Sequence, residues 1–281
     1  MSDLDAIARQ VRGLMLEISH RAQTPHVGGC LSCVDLLVAS YWGALRIDPA
    51  RPDDPDRDRF VFSKGHAAAA FYAALHLRGF ISRALMETYS EPGAQLPEHP
   101  TPGCAPGVEA TSGSLGHGLS MGAGMALAAR IQKRPSRVFV CMSDGECNEG
   151  SVWEAALFAP ANKLGNLVAM IDYNGWQATG RTDEVLGLAP LVDKWRAFGW
   201  SAHEVDGHDI AAIVKILREV PDASGKPIAI VARTLKGKGV SIMENDNNWH
   251  YRIPTADELK QALATLGVAR HFEPRAGGGA A

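Results

Sequence analysis

Apolar residues recur every three or four positions at Leu4, Ile7, Val11, Leu14, Met15 and Ile18, which predicts an amphipathic helix over 2–22. Gln23-Thr24-Pro25-His26-Val27-Gly28-Gly29 ends it. One Pro and two Gly make a loop whose backbone can approach a ligand closely. A helix over 32–43, a charged Pro-rich surface turn over 51–59, a short strand over 60–62 and a helix over 67–77 follow. Ser63-Lys64-Gly65-His66 lies between that strand and that helix, so His66 stands beside free helix amides suited to an anion. Residues 91–113 are irregular, rich in Pro and Gly, and contain His99. A loop of that length inside a compact domain points to function. A small-residue helix is predicted over 119–130, with Gly116, Gly118, Gly122 and Gly124 allowing close packing.

The remaining pattern alternates strand and helix. Strands are predicted over 137–142, 167–171, 201–205 and 228–232, and helices over 150–162, 191–198, 210–219 and 255–266. The last helix opens on Thr255 with Glu258 three positions on, a capping box. Alternation of this kind predicts an α/β fold, an open, mainly parallel sheet flanked by helices, over 1–270. Residues 271–281 read as a disordered Gly/Ala tail.

Composition narrows the function classes. A net charge of −3 over 281 residues gives no basic footprint for nucleic acid, and no apolar run reaches the length of a membrane span. The N-terminus lacks a signal-peptide layout, and five cysteines without a regular framework suggest reduced thiols in a cytoplasmic protein. Cys30-Leu31-Ser32-Cys33 has no second pair and reads as a helix-buried thiol pair rather than a redox or zinc motif.

The chemistry concentrates at the ends of successive strands. The strand over 137–142 runs into Ser143-Asp144-Gly145-Glu146, and the strand over 167–171 runs into Asp172-Tyr173-Asn174-Gly175. Strand ends are where open α/β sheets bind ligands. Asp144 and Asn174 each present a small hard oxygen, thirty positions apart across one strand–helix–strand unit, a donor set that suits Mg²⁺ shared with a diphosphate. Four histidines, His26, His66, His99 and His250, stand in loops or at element ends. Imidazoles suit proton transfer to and from hydroxyls and carbonyls.

The segments TPHVGGCLS, FSKGHAAAAFY, PGVEATSGSLGHGLS, SDGECNEGSVWEA, the Asn174 loop and KGKGVSIMENDNNWH occur here in one order. In that order they resemble the N-terminal, thiamine diphosphate-binding half of the transketolases, over residues 7–266. KGKGVS with a following WH resembles most the two-gene form. The resemblance implies a transferase moving a two-carbon ketol unit from a ketose (phosphate) donor to an aldose acceptor, with thiamine diphosphate and Mg²⁺ as cofactors. It implies that Asp144, Asn174 and the Trp176 carbonyl hold Mg²⁺. It places His66, Gly145, Asn174 and His250 on the diphosphate side, and Gly113, Ser114 and Leu115 along the aminopyrimidine. It further implies that His26, His99 and His250 surround the donor, and that Glu149 and Glu154 lie at an interface between subunits. The chain departs from the family at Ser143 and Glu98 (each in place of Gly), Val27 (for Pro), His117 (for Gln) and Tyr251 (for Gly). A pyrimidine-binding domain with its activating glutamate is not found, so the resemblance implies one subunit of a split enzyme whose partner is the C-terminal, pyrimidine-binding subunit, in an α2β2 assembly. Two other readings stand beside it: a different thiamine diphosphate enzyme component, of synthase or α-ketoacid decarboxylase type, and a non-catalytic cofactor-binding partner.

Overall fold

A computed structural model describes residues 3–272. Five parallel strands form one sheet in the order β1-β2-β3-β5-β4. The chain enters through α1 (Leu4–Ala22), capped by the Asp3 side chain on the Ala6 N–H, and continues as α2 (Val27–Ser32), α3 (Val34–Val38) and a π-helical turn, Ala39–Ala44. Then come β1 (Arg59–Phe62), a 3₁₀ turn at Gly65–Ala67, α4 (Ala68–Leu77) and α5 (Arg83–Met86). After the irregular stretch, α6 (Gly118–Ile131), β2 (Val138–Ser143), α7 (Gly150–Ala161) and β3 (Leu167–Tyr173) form the central unit. The chain closes with α8 (Thr182–Val185), α9 (Leu191–Ala197), β4 (Ser201–Asp206), α10 (Ile210–Leu217), β5 (Ile228–Arg233) and α11 (Ala256–Leu266).

Two apolar layers sandwich the sheet. Alternation along β2 sends Phe139 and Cys141 to one face and Val138, Val140 and Met142 to the other. The first face packs under α1, α3, α4, α10 and α11, the second under α6, α7 and α9. The inner strands are buried on both sides, which is why they read as continuous apolar runs. Close packing of α6 has a residue-level cause: a Cβ on Gly122 would lie 2.4 Å from Val140 of β2, while Gly124 of the same helix faces open space.

Three expectations are revised. The loop expected over 23–29 ends sooner, because α2 begins immediately after His26, and Gly28 inside it packs against the Lys236 side chain. The helix expected over 32–43 is divided at Cys33 and finishes as a π turn. The tail expected over 271–281 is revised at its first two residues. Glu17 accepts hydrogen bonds from the His271 and Phe272 N–H groups, and Phe272 is buried; the rest of that tail lies outside the described residues. Cys30 and Cys33 are free and buried, with burial pushing their thiols up to about 12 and about 11. Among the described residues no helix is long and apolar enough to cross a membrane.

Candidate active site

The C-terminal ends of β1, β2, β3 and β5 open onto one cavity of about 460 Å³. Its lining comes from segments distant in sequence: His26, His66, Asp144, Asn174, Lys236 and His250 all face it, as do Gly145, Leu115, Glu149, Trp176 and Tyr251.

A buried polar layer carries the floor. Asp172, on β3, is fully buried and forms an ion pair with Lys64, which follows β1. The same carboxylate accepts from Ser32 (2.6 Å to Oδ2) and from Thr234 at its other oxygen. Asn174 Nδ2 donates toward Ser32 Oγ (3.2 Å) and Asp172 Oδ2 (3.4 Å), and Asn174 Oδ1 accepts from the Trp176 N–H at 3.0 Å. Asp144 accepts from the N–H groups of Gly145 (2.9 Å) and Gly175 (3.0 Å) and from Thr182 Oγ1 (2.7 Å). Burial nevertheless pushes its carboxyl up to about 6. Three hydrogen bonds therefore do not offset the loss of water, and a cation alongside would.

Glu146 is a second tie. It accepts from Ser63, from the Gly116 N–H (3.0 Å) and from the Ser143 N–H (3.0 Å), so one buried carboxylate gathers the ends of β1 and β2 and the turn before α6. Two glycines then permit close approach. A Cβ on Gly65 would sit 2.3 Å from the Gly113 nitrogen, and one on Gly113, whose φ is +130°, would sit 2.7 Å from the His99 ring. That contact sets Gly113 against Gly65, the neighbour of His66; of the predicted trio Gly113, Ser114 and Leu115, Leu115 lines the cavity with His66, and the other two do not.

The histidines form an arc. Ring centroids lie 5.0 Å apart for His26–His250, 5.0 Å for His26–His66 and 4.8 Å for His66–His99, each pair edge to face. His26 occupies the left-handed region at φ +71°, and its N–H donates to the His250 carbonyl at 3.0 Å. Burial, then the neighbouring imidazoles and Lys236, lower His26 to about 3 and His250 to about 4, and His66 is lowered by burial and His99. These three rings are neutral near pH 7, able to give a proton at one nitrogen and take one at the other.

Lys236 opens the KGKGVS segment, and the sequence gives it no role of its own. It is buried, its Nζ lies 2.6 Å from Asn247 Oδ1 and 3.1 Å from His250 Nδ1, and burial lowers it to about 8. Among the described residues no carboxylate forms a salt bridge with it. Its loop is held from behind. Arg12 pairs with Asp35 (2.7 Å) and donates to the Lys238 carbonyl, while His208 bridges Asp35 and the Leu235 N–H. Lys64, Glu146, Asp172 and Lys236 were missed because their importance lies in burial. The available signal was a Lys or acid inside short apolar or Gly-rich strand-end segments. Glu149 and Glu154 are both exposed, at the start and middle of α7.

Comparison with known proteins agrees with this architecture. Residues 4–276 match the family described as transketolase, thiamine diphosphate binding domain. The chain is 43% identical over 260 residues to one of the subunits of the apulose-4-phosphate transketolase of Phocaeicola vulgatus, covering 92% of each. It is 42% identical over 264 residues to the 6-deoxy-6-sulfo-D-fructose transketolase subunit SqwG of a Clostridium species, covering 94% of this chain and 96% of that one. Among solved structures, transketolase from Leishmania mexicana superposes with a TM-score of 0.90 at 27% identity, covering 97% of this chain and 42% of that one. The chain thus spans less than half of that solved transketolase but nearly all of the two relatives named as subunits. A parallel sheet with an Asp and an Asn at adjacent strand ends, a histidine arc above them and a sequence match across the whole core lead to one assignment: the chain belongs to the transketolase family, as its thiamine diphosphate-binding domain.

Proposed function

We propose that the chain is the diphosphate-binding subunit of a two-chain transketolase, which moves a two-carbon ketol unit from a ketose donor to an aldose acceptor with thiamine diphosphate and Mg²⁺. The observation that carries this reading is the histidine arc: four imidazoles from separate segments pack edge to face, and three of them, His26, His66 and His250, line the cavity with Asp144 and Asn174, while His99 stands behind His66.

The residues present fit both groups. A buried carboxyl pushed up to about 6 and a buried ammonium lowered to about 8 face one cavity, so a cation on Asp144 and an anion by Lys236 would relieve both. Asp144, the Asn174 Oδ1 and the Trp176 carbonyl would hold Mg²⁺. His66, Gly145, Asn174, His250 and Lys236 would bind the diphosphate side, and Gly113, Ser114 and Leu115 would line the aminopyrimidine. When bound, thiamine diphosphate supplies the carbanion chemistry that breaks and remakes the carbon–carbon bond. His26, His99 and His250 orient the donor's hydroxyls and carbonyl. Being neutral, His26 and His250 can accept a hydroxyl proton and return it to the product.

The activity needs a partner carrying the pyrimidine-binding domain, in a closed two-fold α2β2 assembly. The exposed Leu157 and Phe158 beside Glu154 on α7, with Ile131 at the end of α6, suit an apolar seam, and Glu149 opens the same helix at the cavity. We place the enzyme in the cytoplasm, where its five free cysteines stay reduced.

The test is to purify the chain alone and with a candidate pyrimidine-domain chain, add Mg²⁺ and thiamine diphosphate, and assay ketol transfer. The expected result is no turnover alone, and co-elution with turnover for the pair. Full turnover by the isolated chain would refute the two-chain reading.

A further inference from the structure

Tyr251 follows His250 at the mouth of the cavity. It lines that cavity yet is 66% exposed, and its hydroxyl has no hydrogen-bond partner among the described residues. Its ring stands edge-on to two members of the arc, 4.8 Å from the His250 centroid and 5.9 Å from that of His26. The next charge along the chain is turned elsewhere: the Arg252 guanidinium sits 4.4 Å over the Trp249 ring and pairs with Glu258. The rim at this point therefore offers an aromatic face and a free phenol, not a cation. Such a face attracts C–H bonds, and the phenol can meet one hydroxyl.

We propose that Tyr251 is a specificity-determining residue, packing its ring against the carbon chain of the ketose donor beyond the carbonyl. The inference rests on the ketol-transfer reading above. His26 and His250 address the reacting carbons, and Tyr251, one residue further toward solvent, addresses the carbons that leave with the aldose product. A long ketose reaches the ring; a three-carbon donor does not.

The experiment uses the assembled two-chain enzyme with two donors, a ketose of five or more carbons and 3-hydroxypyruvate, which yields the same two-carbon unit with loss of carbon dioxide. For Tyr251→Gly, the ratio of kcat/KM for the ketose to that for 3-hydroxypyruvate is expected to fall about tenfold or more, mostly through the ketose KM. Tyr251→Phe, which keeps the ring, is expected to retain most of the ratio. An unchanged ratio in Tyr251→Gly would overturn the inference, since the ring would then act on both donors alike through the histidines. Equal losses in the Gly and Phe variants would overturn the ring contact. Weaker association of Tyr251→Gly with the partner chain, read by sedimentation, would assign the ring to the interface between the chains instead. If the unaltered pair transfers from neither donor, the ketol-transfer reading itself fails and this inference with it.

Discussion

The side-chain nitrogen of Asn174 faces Asp172, 3.4 Å from its Oδ2. A carboxylate that is paired with Lys64 can only accept, so it dictates which end of the Asn174 amide is turned the other way. The amide orientation on which the proposed Mg²⁺ site relies is thus set by a residue two positions earlier that does not line the cavity.

Asp172→Ala should therefore do two things. It leaves the buried Lys64 ammonium without its partner, which costs roughly 3–5 kcal/mol of stability in urea denaturation. It also frees the amide of Asn174 to rotate, so the Mg²⁺ concentration needed for half-maximal thiamine diphosphate binding should rise by about 10–100-fold. Calorimetry at saturating and limiting Mg²⁺ checks the second effect separately from the first.

Asp144→Ala should abolish Mg²⁺-dependent thiamine diphosphate binding by the assembled enzyme, because the diphosphate loses its bridging cation. In the unaltered protein the same carboxyl titrates at about 6. Mg²⁺ must displace that proton, so its apparent affinity should fall about tenfold per pH unit below pH 6 and level off above it. A flat Mg²⁺ affinity from pH 5 to 7.5 would contradict the assignment.

The lowered histidines make the cofactor-free fold acid-sensitive. His26 and His250 titrate at about 3 and about 4 when folded, below the ordinary 6.5 of the unfolded chain. As pH falls below 6.5 the unfolded state takes up these protons first, so stability present above pH 6.5 is lost down to about pH 4 for His250 and about pH 3 for His26. Asp144 works in the opposite sense: raised from 3.8 to about 6, it is protonated first in the folded state and adds stability as pH falls through 6. His26→Asn tolerates the left-handed backbone and removes one titrating ring. Denaturant midpoints at pH 7.5, 6 and 5 should decline less steeply in this variant.

The proposed assignment divides the arc by task. His26→Ala and His99→Ala should lower turnover by about 10²–10⁴-fold with a smaller change in cofactor affinity, as removal of a proton-handling group does. His66→Ala should weaken thiamine diphosphate binding more than it slows saturated turnover. Steady-state rates at saturating cofactor, set beside calorimetric affinities, separate the two patterns. Equal effects at all three positions would contradict the division.

The frame and the outward parts of the site were legible in the sequence for a physical reason. β2 and β3 are apolar runs that stop at an acid or amide followed by glycine, and periodicity reports burial directly. The Asp144–Asn174 pair and the histidines stand where those runs stop. What stayed hidden depends on contacts between distant segments. Nothing local marks Glu146 as the common acceptor for Ser63, Ser143 and Gly116, or Arg12 and His208 as the anchors of the loop that carries Lys236. The early start of α2 was hidden too, since Gly28-Gly29 favours a loop by local propensity. The close packing of Gly28 on Lys236 outweighs that preference.

The contact of Gly65 with Gly113, and of Gly113 with the His99 ring, also bears on how such a protein can change over generations. A side chain at either glycine would collide with backbone or with a catalytic candidate, so drift along the irregular stretch has to leave these neighbours in place. Tyr251 is less restricted: the residue is exposed, and its ring meets His26 and His250 edge-on. On the proposed reading, adaptation to a new sugar would be open at that rim and closed at the glycine pair, so the substrate could change while the residues assigned to the cofactor stayed in place.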